Sequence, residues 1–260
     1  MLESMMQTIL FGVLVLLALL YVIAPLALRR AFRFSAQSRP RPLTAAEIAP
    51  DLERRMAGVA PALKNLGFEY LGCYDFGELS AHTRTVLALF SNSNTNDFAN
   101  ITMSCASRYI DSYLEFSTEF ASGLRLETNN NSVLPLTPDP KTSRIFRFSE
   151  IQDPRELYRL HRQLIEKHVA GAWAKPEVKG QEISRWVQIM DNYGPRHVEL
   201  GYMKPARESG QYDLTWKGAA LMAWKGMFPS TLVRKVLRRS AMKAELRSLE
   251  LRGVTTLQKA

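Results

Sequence analysis

"YIDSYLEFSTEFASGLRLETNNN", Tyr109 to Asn131, decides the fold class. Ile110, Leu114, Phe116 and Phe120 stand at even positions, while Asp111, Tyr113, Glu115, Ser117 and Glu119 stand at odd ones. A period of two describes a strand with one apolar and one polar face. After the small residues, Leu124 and Leu126 are apolar, and Arg125 and Glu127 are polar. A two-residue loop at Ser122-Gly123 would set Phe120 opposite Arg125 and mix the faces. A three-residue loop, Ala121-Ser122-Gly123, pairs Phe120 with Leu124 and Glu119 with Arg125, so one face stays apolar. The reading is therefore a hairpin with Gly123 in the left-handed position. Glu119 and Arg125 are expected to face each other on the exposed side, a pair worth up to about 1 kcal/mol.

The flanking segments extend the same pattern. "FEYLGCYDF" (68–76) and "TRTVLALFS" (83–91) are rich in aromatic and β-branched residues, and "NSNTND" reads as a polar turn. In "FANITMSCA", Ala99, Ile101, Met103 and Cys105 alternate with Asn100, Thr102 and Ser104. Cys105 and Cys73 are therefore read as small core residues, and two cysteines without C-x-x-C spacing indicate no disulfide framework. "RIFRFS" (144–149) adds a further strand. Before the strands, Thr44 and Glu47 form a capping-box pattern. Ile48, Leu52, Met56, Val59, Leu63 and Leu66 then line one helical face that Pro61 is expected to kink or break. After the strands, Asp153-Pro154 opens a helix with Leu157, Leu160, Leu164 and His168 on one face and His161 beside it.

From Thr8 to Leu28 there is no charged residue. A helix of that length rises roughly 30 Å, the thickness of a bilayer's hydrocarbon core. The stretch reads as an uncleaved transmembrane anchor over residues 1–30, because the residues before it carry no base and no small-x-small site follows it. Arg29, Arg30, Arg33, Arg39 and Arg41 lie on its exit side, which predicts the N-terminus outside and the remainder cytoplasmic, at an inner or plasma membrane.

The formal net charge is +9 and it is unevenly distributed. Residues 43–209 are close to neutral, and the excess lies in 29–42 and 210–260. The C-terminal "STLVRKVLRRSAMKAELRSLELRG" has a helical composition with Leu232, Val236, Leu246 and Leu249 on an approximate apolar stripe. Its bases Arg234, Lys235, Arg238, Arg239, Lys243 and Arg247, together with Arg29, Arg30 and Arg33, are the candidate residues for contact with anionic lipid headgroups. A solvated helix packed on the domain is the other reading of this tail.

Residues that could carry chemistry are sparse. His161 and His168 lie two helical turns apart and cannot share a metal ion. Asp111, Glu115 and Glu119 share a strand face, which suits acid–base chemistry but is also the ordinary pattern of a solvated sheet face. No nucleotide loop or H-E-x-x-H motif is present. No catalytic residue, cofactor or metal ligand is assigned.

One further pattern lies at 201–221. Gly201-Tyr202 and Tyr212-x-Leu214-Thr215-x-x-Gly218-x-x-Leu221 flank a polar loop. The pattern resembles the wing and following helix of winged-helix DNA-binding domains over about 25 residues. It implies that a loop around Lys204 and Arg207 touches phosphates. The chain departs from that family where the recognition helix belongs, because "EISRWVQIMDNYGPRHVEL" is broken at Asn192-Tyr-Gly-Pro195.

The expectation is an α+β protein: an N-terminal transmembrane helix, a basic linker at 31–43, an antiparallel sheet of five or six strands with flanking helices in 44–175, and at 176–260 a helical region with a short hairpin (201–214) and the basic tail. The function expected is a single-pass, membrane-anchored cytoplasmic binding or scaffold module. Its expected partners are the membrane, anionic lipid headgroups and an unknown protein. The alternative is a membrane-tethered nucleic-acid-binding or regulatory protein. Nucleic acid is not the expected partner, and enzymatic activity is not favoured.

Overall fold

The computed structural model of this chain describes residues 2–80, 83–106, 109–176, 180–207 and 210–257. The Ala121–Gly123 loop sets the register of its main sheet. β6 (Tyr109–Glu119) and β7 (Arg125–Asn129) pair with Glu119 opposite Arg125. Phe120 N donates to Leu124 O at 2.8 Å, and Gly123 adopts φ +79°, as a three-residue loop requires. β5 (Asp97–Ala106), β4 (Thr83–Asn92) and β3 (Glu69–Ser80) continue outward from β6, all antiparallel. The short β2 (Arg41–Pro42) pairs with β3.

The expected antiparallel sheet of five or six strands is corrected here. β8 (Ser143–Arg147) runs parallel to β7, which makes a seven-stranded mixed sheet. The reason lies in the connection after Asn129. It doubles back far enough for Asp139 to bond Arg147, so the chain enters β8 in the same direction as β7. A second, antiparallel unit of three strands, β1 (Arg33–Ser35), β9 (Met203–Pro205) and β10 (Gln211–Leu214), joins the main sheet through the single pair Phe34 and Ser80. The tip of the β9–β10 hairpin at 208–209 lies outside the described residues.

The apolar face of the main sheet carries the core. Ala99, Ile101, Met103, Leu114, Phe116 and Leu126 are buried there beneath three helices. α2 (Pro50–Asn65) supplies Leu52, Val59 and Leu63, and runs through Pro61 without the expected break. α3 (Pro154–His168) is capped by Asp153, which accepts from Arg155 N, and supplies Leu157, Leu160 and Leu164. The polar face is covered as well. α4 (Glu182–Asp191) packs Trp186, Ile183 and Met190 on Phe76, Leu87 and Leu89, and the short α5 (Tyr193–Glu199) follows it. α6 (Trp216–Gly226) stands on the small sheet, its N-terminus capped by Thr215. α7 (Ser230–Leu257) then returns to the main core with Met242, Leu246 and Leu249.

α1 (Leu2–Ala31) does not fulfil the membrane expectation. Among the described residues no helix is long and apolar enough to cross a membrane. The end of the expected span packs on protein. Tyr21 O–H donates to Phe228 O at 2.5 Å, its ring lies 5.6 Å from Trp224, and Pro25 is buried. Leu28 and Phe32 join the core of the small sheet, and the Arg29 guanidinium lies 4.4 Å over Trp216. The stretch of the expected span ahead of these contacts, residues 8–20, is roughly 20 Å of helix, short of the roughly 30 Å needed. The single-pass topology, the outward N-terminus and the cytoplasmic placement rested on that span and are withdrawn. The described side chains of that stretch are exposed, including Ile9, Leu10, Phe11 and Leu19.

Two glycines give opposite expectations. A Cβ on Gly218 would stand 2.1 Å from Tyr202 O, because β9 begins against the first turn of α6. Gly218→Ala is expected to cost about 1–3 kcal/mol in chemical denaturation. Gly58 lies exposed within α2 with nothing within 4 Å of its Cβ position. Gly58→Ala is expected to stabilise by about 0.5–1 kcal/mol. Equal effects from the two would contradict the close approach at Tyr202.

Candidate anion site

Polar side chains gather in two places on the main sheet, one closed and one open. The closed group lies on the core side. Asp97 is fully buried where β5 begins, and it accepts from Thr118 Oγ1, from Tyr158 O–H at 2.7 Å and from Arg162 Nη1 at 3.0 Å. The same Thr118 hydroxyl lies 2.9 Å from His161 Nε2, and Thr128 Oγ1 lies 3.0 Å from His161 Nδ1. Since Thr118 gives its proton to Asp97, it accepts from His161 Nε2–H, and Nδ1 accepts from Thr128. Burial holds the imidazole neutral, with its pKa lowered to about 4. Both ring nitrogens are satisfied, so this network supports packing and offers no reactive group.

The polar face of β6 and β7 holds the second group. Glu115 is buried and accepts from Asn100 Nδ2 at 3.2 Å and Asn129 Nδ2 at 2.9 Å. Thr102 in turn donates to Asn100 Oδ1 at 2.7 Å. Burial, together with the neighbouring Glu127 charge, raises the Glu115 carboxyl to about 7. Arg125 Nε donates to Glu127 Oε1 at 2.5 Å. The cross-strand neighbours Glu119 and Arg125 thus take other partners. Glu119 is held by Arg185 Nη2 at 2.6 Å and Lys175 Nζ at 3.1 Å. Burial works against the charge of Glu119, but these hydrogen bonds and charges hold its pKa below the usual value. The sequence placed Asp111, Glu115 and Glu119 on a solvated face. Asp111 and Glu119 are half-buried, Glu119 beneath Arg185 of α4, whereas Glu115 is buried.

Beside this second group a cavity of about 550 Å³ opens between the edge of the sheet, residues 135–142, α4 and α5. Five cations line it, Arg125, Arg147, Lys175, Arg185 and Arg196, against two carboxylates, Glu119 and Asp139. Arg147 meets Asp139 as a two-pronged pair at 2.6 and 2.9 Å, and Arg196 donates to Asp139 O. Two polar atoms of the lining are buried without a partner among the described residues, Arg125 Nη1 and His197 Nε2. His197 is 1 % exposed, and its Nδ1 lies 2.7 Å from Tyr193 O, so Nδ1 carries the proton and Nε2 presents a lone pair. Burial lowers the His197 pKa and keeps the ring neutral. An unpartnered buried donor costs about 1–3 kcal/mol, which a ligand oxygen at Arg125 would relieve.

The candidate lipid-contact residues are dispersed. Arg29 lies over Trp216, Arg33 is 3.7 Å from Asp213, and Arg239 is 3.6 Å from Glu150. Arg234 donates to Lys225 O and Pro135 O, and Arg238 to the carbonyls of Asn131, Ser132 and Val133. Arg30, Lys235, Lys243 and Arg247 are exposed. The winged-helix resemblance is corrected. Its hairpin and capped helix are present, but α5 has seven residues and buries Gly194 and His197, so among the described residues no long recognition helix precedes them.

Cys73 is buried and its thiol is pushed up to about 11, the opposite of an activated nucleophile. Among the described residues no group of His, Cys, Asp or Glu is arranged to hold a metal ion. The cavity was not legible in the sequence because its lining comes from four separate stretches, 119–125, 135–147, 175 and 185–197. The one local signal was Arg125 and Arg147 on strands that also carry apolar residues. No family model, curated protein or solved structure matches the chain.

Proposed function

We propose that the chain is a binding domain for a small oxyanion, held in the cavity between the polar sheet face and α4–α5. One observation carries this reading: five cations against two carboxylates converge on a cavity of about 550 Å³ in which Arg125 Nη1 is buried without a partner. Such a wall favours negative charge throughout the cavity, and the low-dielectric surroundings strengthen that preference. Arg125 supplies a donor to a carboxylate or phosphate oxygen, while His197 Nε2 accepts from a hydroxyl or a protonated oxygen on the same ligand. A cavity of this size is typical of small-molecule sites.

Isothermal titration with inorganic phosphate and with citrate tests the reading. Saturable binding is expected, weakened about tenfold by Arg196→Ala and by Lys175→Ala, since each removes a charge from the lining. Lys175 is exposed, so its loss is expected to leave the fold unchanged. Absence of heat with either anion at millimolar concentration, or variants that bind like the parent, would overturn the proposal.

A further inference from the structure

A second cavity of about 470 Å³ adjoins the first. It lies along the outer edge of β8, under the first half of α7, and Pro135, Ile145 and Arg147 line both cavities. Its character differs. Leu134, Phe146, Phe148, Leu237, Ala241 and Met242 supply an apolar wall. The charged groups that reach it are committed elsewhere: Arg234 and Arg238 to backbone carbonyls, Arg147 to Asp139, and Glu245 to Lys167 and His168. A cationic chamber therefore shares a wall with an apolar one.

We infer that the ligand is an amphipathic anion, a carboxylate or phosphate head with a single alkyl chain, whose head lies by Arg125 and Arg185 and whose chain passes Ile145 into the groove under α7. This inference rests on the anion-site reading and specifies its ligand. The direction of the ligand follows from Arg125 Nη1, a donor buried without a partner among the described residues, which lies on the first chamber and has no counterpart on the second. Burying the chain removes methylenes from water, and each is worth about a fourfold gain in affinity. Exposed Leu237 lines the groove, where an apolar chain would cover it.

Titration of the full chain with hexanoate, octanoate and decanoate, each below its micelle-forming concentration, tests this. Affinity is expected to rise about fourfold per methylene. Decanol is expected to bind at least tenfold more weakly than decanoate, and decyl phosphate compared with decanoate shows which head is preferred. Ala241→Trp fills the second chamber from an exposed position of α7. It is expected to abolish the dependence on chain length while leaving phosphate binding intact. Phosphate binding with no dependence on chain length overturns this inference and leaves the anion site standing. A chain-length dependence that survives Ala241→Trp also overturns it, since the chain then lies elsewhere, for instance on the exposed apolar face of α1. Failure of every anion to bind removes both readings.

Discussion

Asp97→Ala is expected to lower the free energy of unfolding by about 3–5 kcal/mol, chiefly because two buried hydroxyls lose their only carboxylate acceptor. The carboxylate is fully buried and is the acceptor for the Thr118 and Tyr158 hydroxyls and for Arg162. Truncation leaves both hydroxyls without their acceptor beside Phe116, and it releases Thr118 from the orientation that fixes the His161 tautomer. Arg162→Lys is the control. It keeps a cation beside the buried carboxylate from a side chain that is 40 % exposed, so it is expected to cost about 1 kcal/mol. Urea unfolding of the two variants checks the difference. Equal losses would mean that the pair with Arg162 accounts for the whole effect and that the hydroxyl network adds nothing.

Asp97 also shows where sequence reading stopped. It stands in "NSNTND", a stretch whose composition describes a polar turn, and nothing within it foretells that Tyr158 and Arg162 on a helix about 60 residues later close over it. The hairpin at Ala121–Gly123 was legible because its determinants are local. The alternation on both sides and the need to keep Phe120 and Leu124 on one face leave a single loop length, and the structure has the pairing Glu119 to Arg125. The faces of β5 were legible for the same reason, with Ala99, Ile101 and Met103 all buried. What failed was the reading of the opposite face. Glu115, Glu119 and Asn100 alternate as solvated residues do, yet Glu115 and Asn100 are buried and Arg185 of the second layer holds Glu119. Polar alternation states that a face is polar. It does not state that the face is wet. The first helix illustrates the converse: an uncharged run satisfied the length criterion for a bilayer, while its partners Trp216, Trp224 and Phe228 lie about 200 residues away and could not be seen from the run itself. Local registers follow from local sequence, whereas the second layer on a face is a tertiary fact.

That second layer makes the stability of the fold depend on pH in a way that a solvated carboxylate would not. Glu115 titrates near 4.5 when solvated and near 7 in the fold, since burial and the Glu127 charge disfavour its ionised form. Between these values the folded chain holds a proton that the unfolded chain has released. Stability is therefore greatest below about pH 4.5 as far as this group is concerned, and it falls as pH rises towards 7. His161 acts in the opposite sense. The unfolded chain takes up a proton near 6.5 while the buried ring resists until about 4, so its contribution is present above 6.5 and is lost as pH falls through that interval. Between about 4.5 and 6.5 the two slopes oppose each other in the parent. Glu115→Gln removes one of them. The variant keeps the size of the side chain and an acceptor for Asn129, and it loses, equally at every pH, part of the contact with Asn100. Relative to the parent, its stability is expected to improve by about 3 kcal/mol between pH 4.5 and pH 8, since each tenfold change in the acidity of a group between the folded and unfolded chain is worth about 1.4 kcal/mol. The measurement is urea unfolding of both proteins at the two pH values. Taking the difference of differences cancels the contact cost and every other titrating group. A variant whose offset from the parent is the same at both pH values would mean that Glu115 ionises as a solvated acid does, against its burial between Asn100 and Asn129.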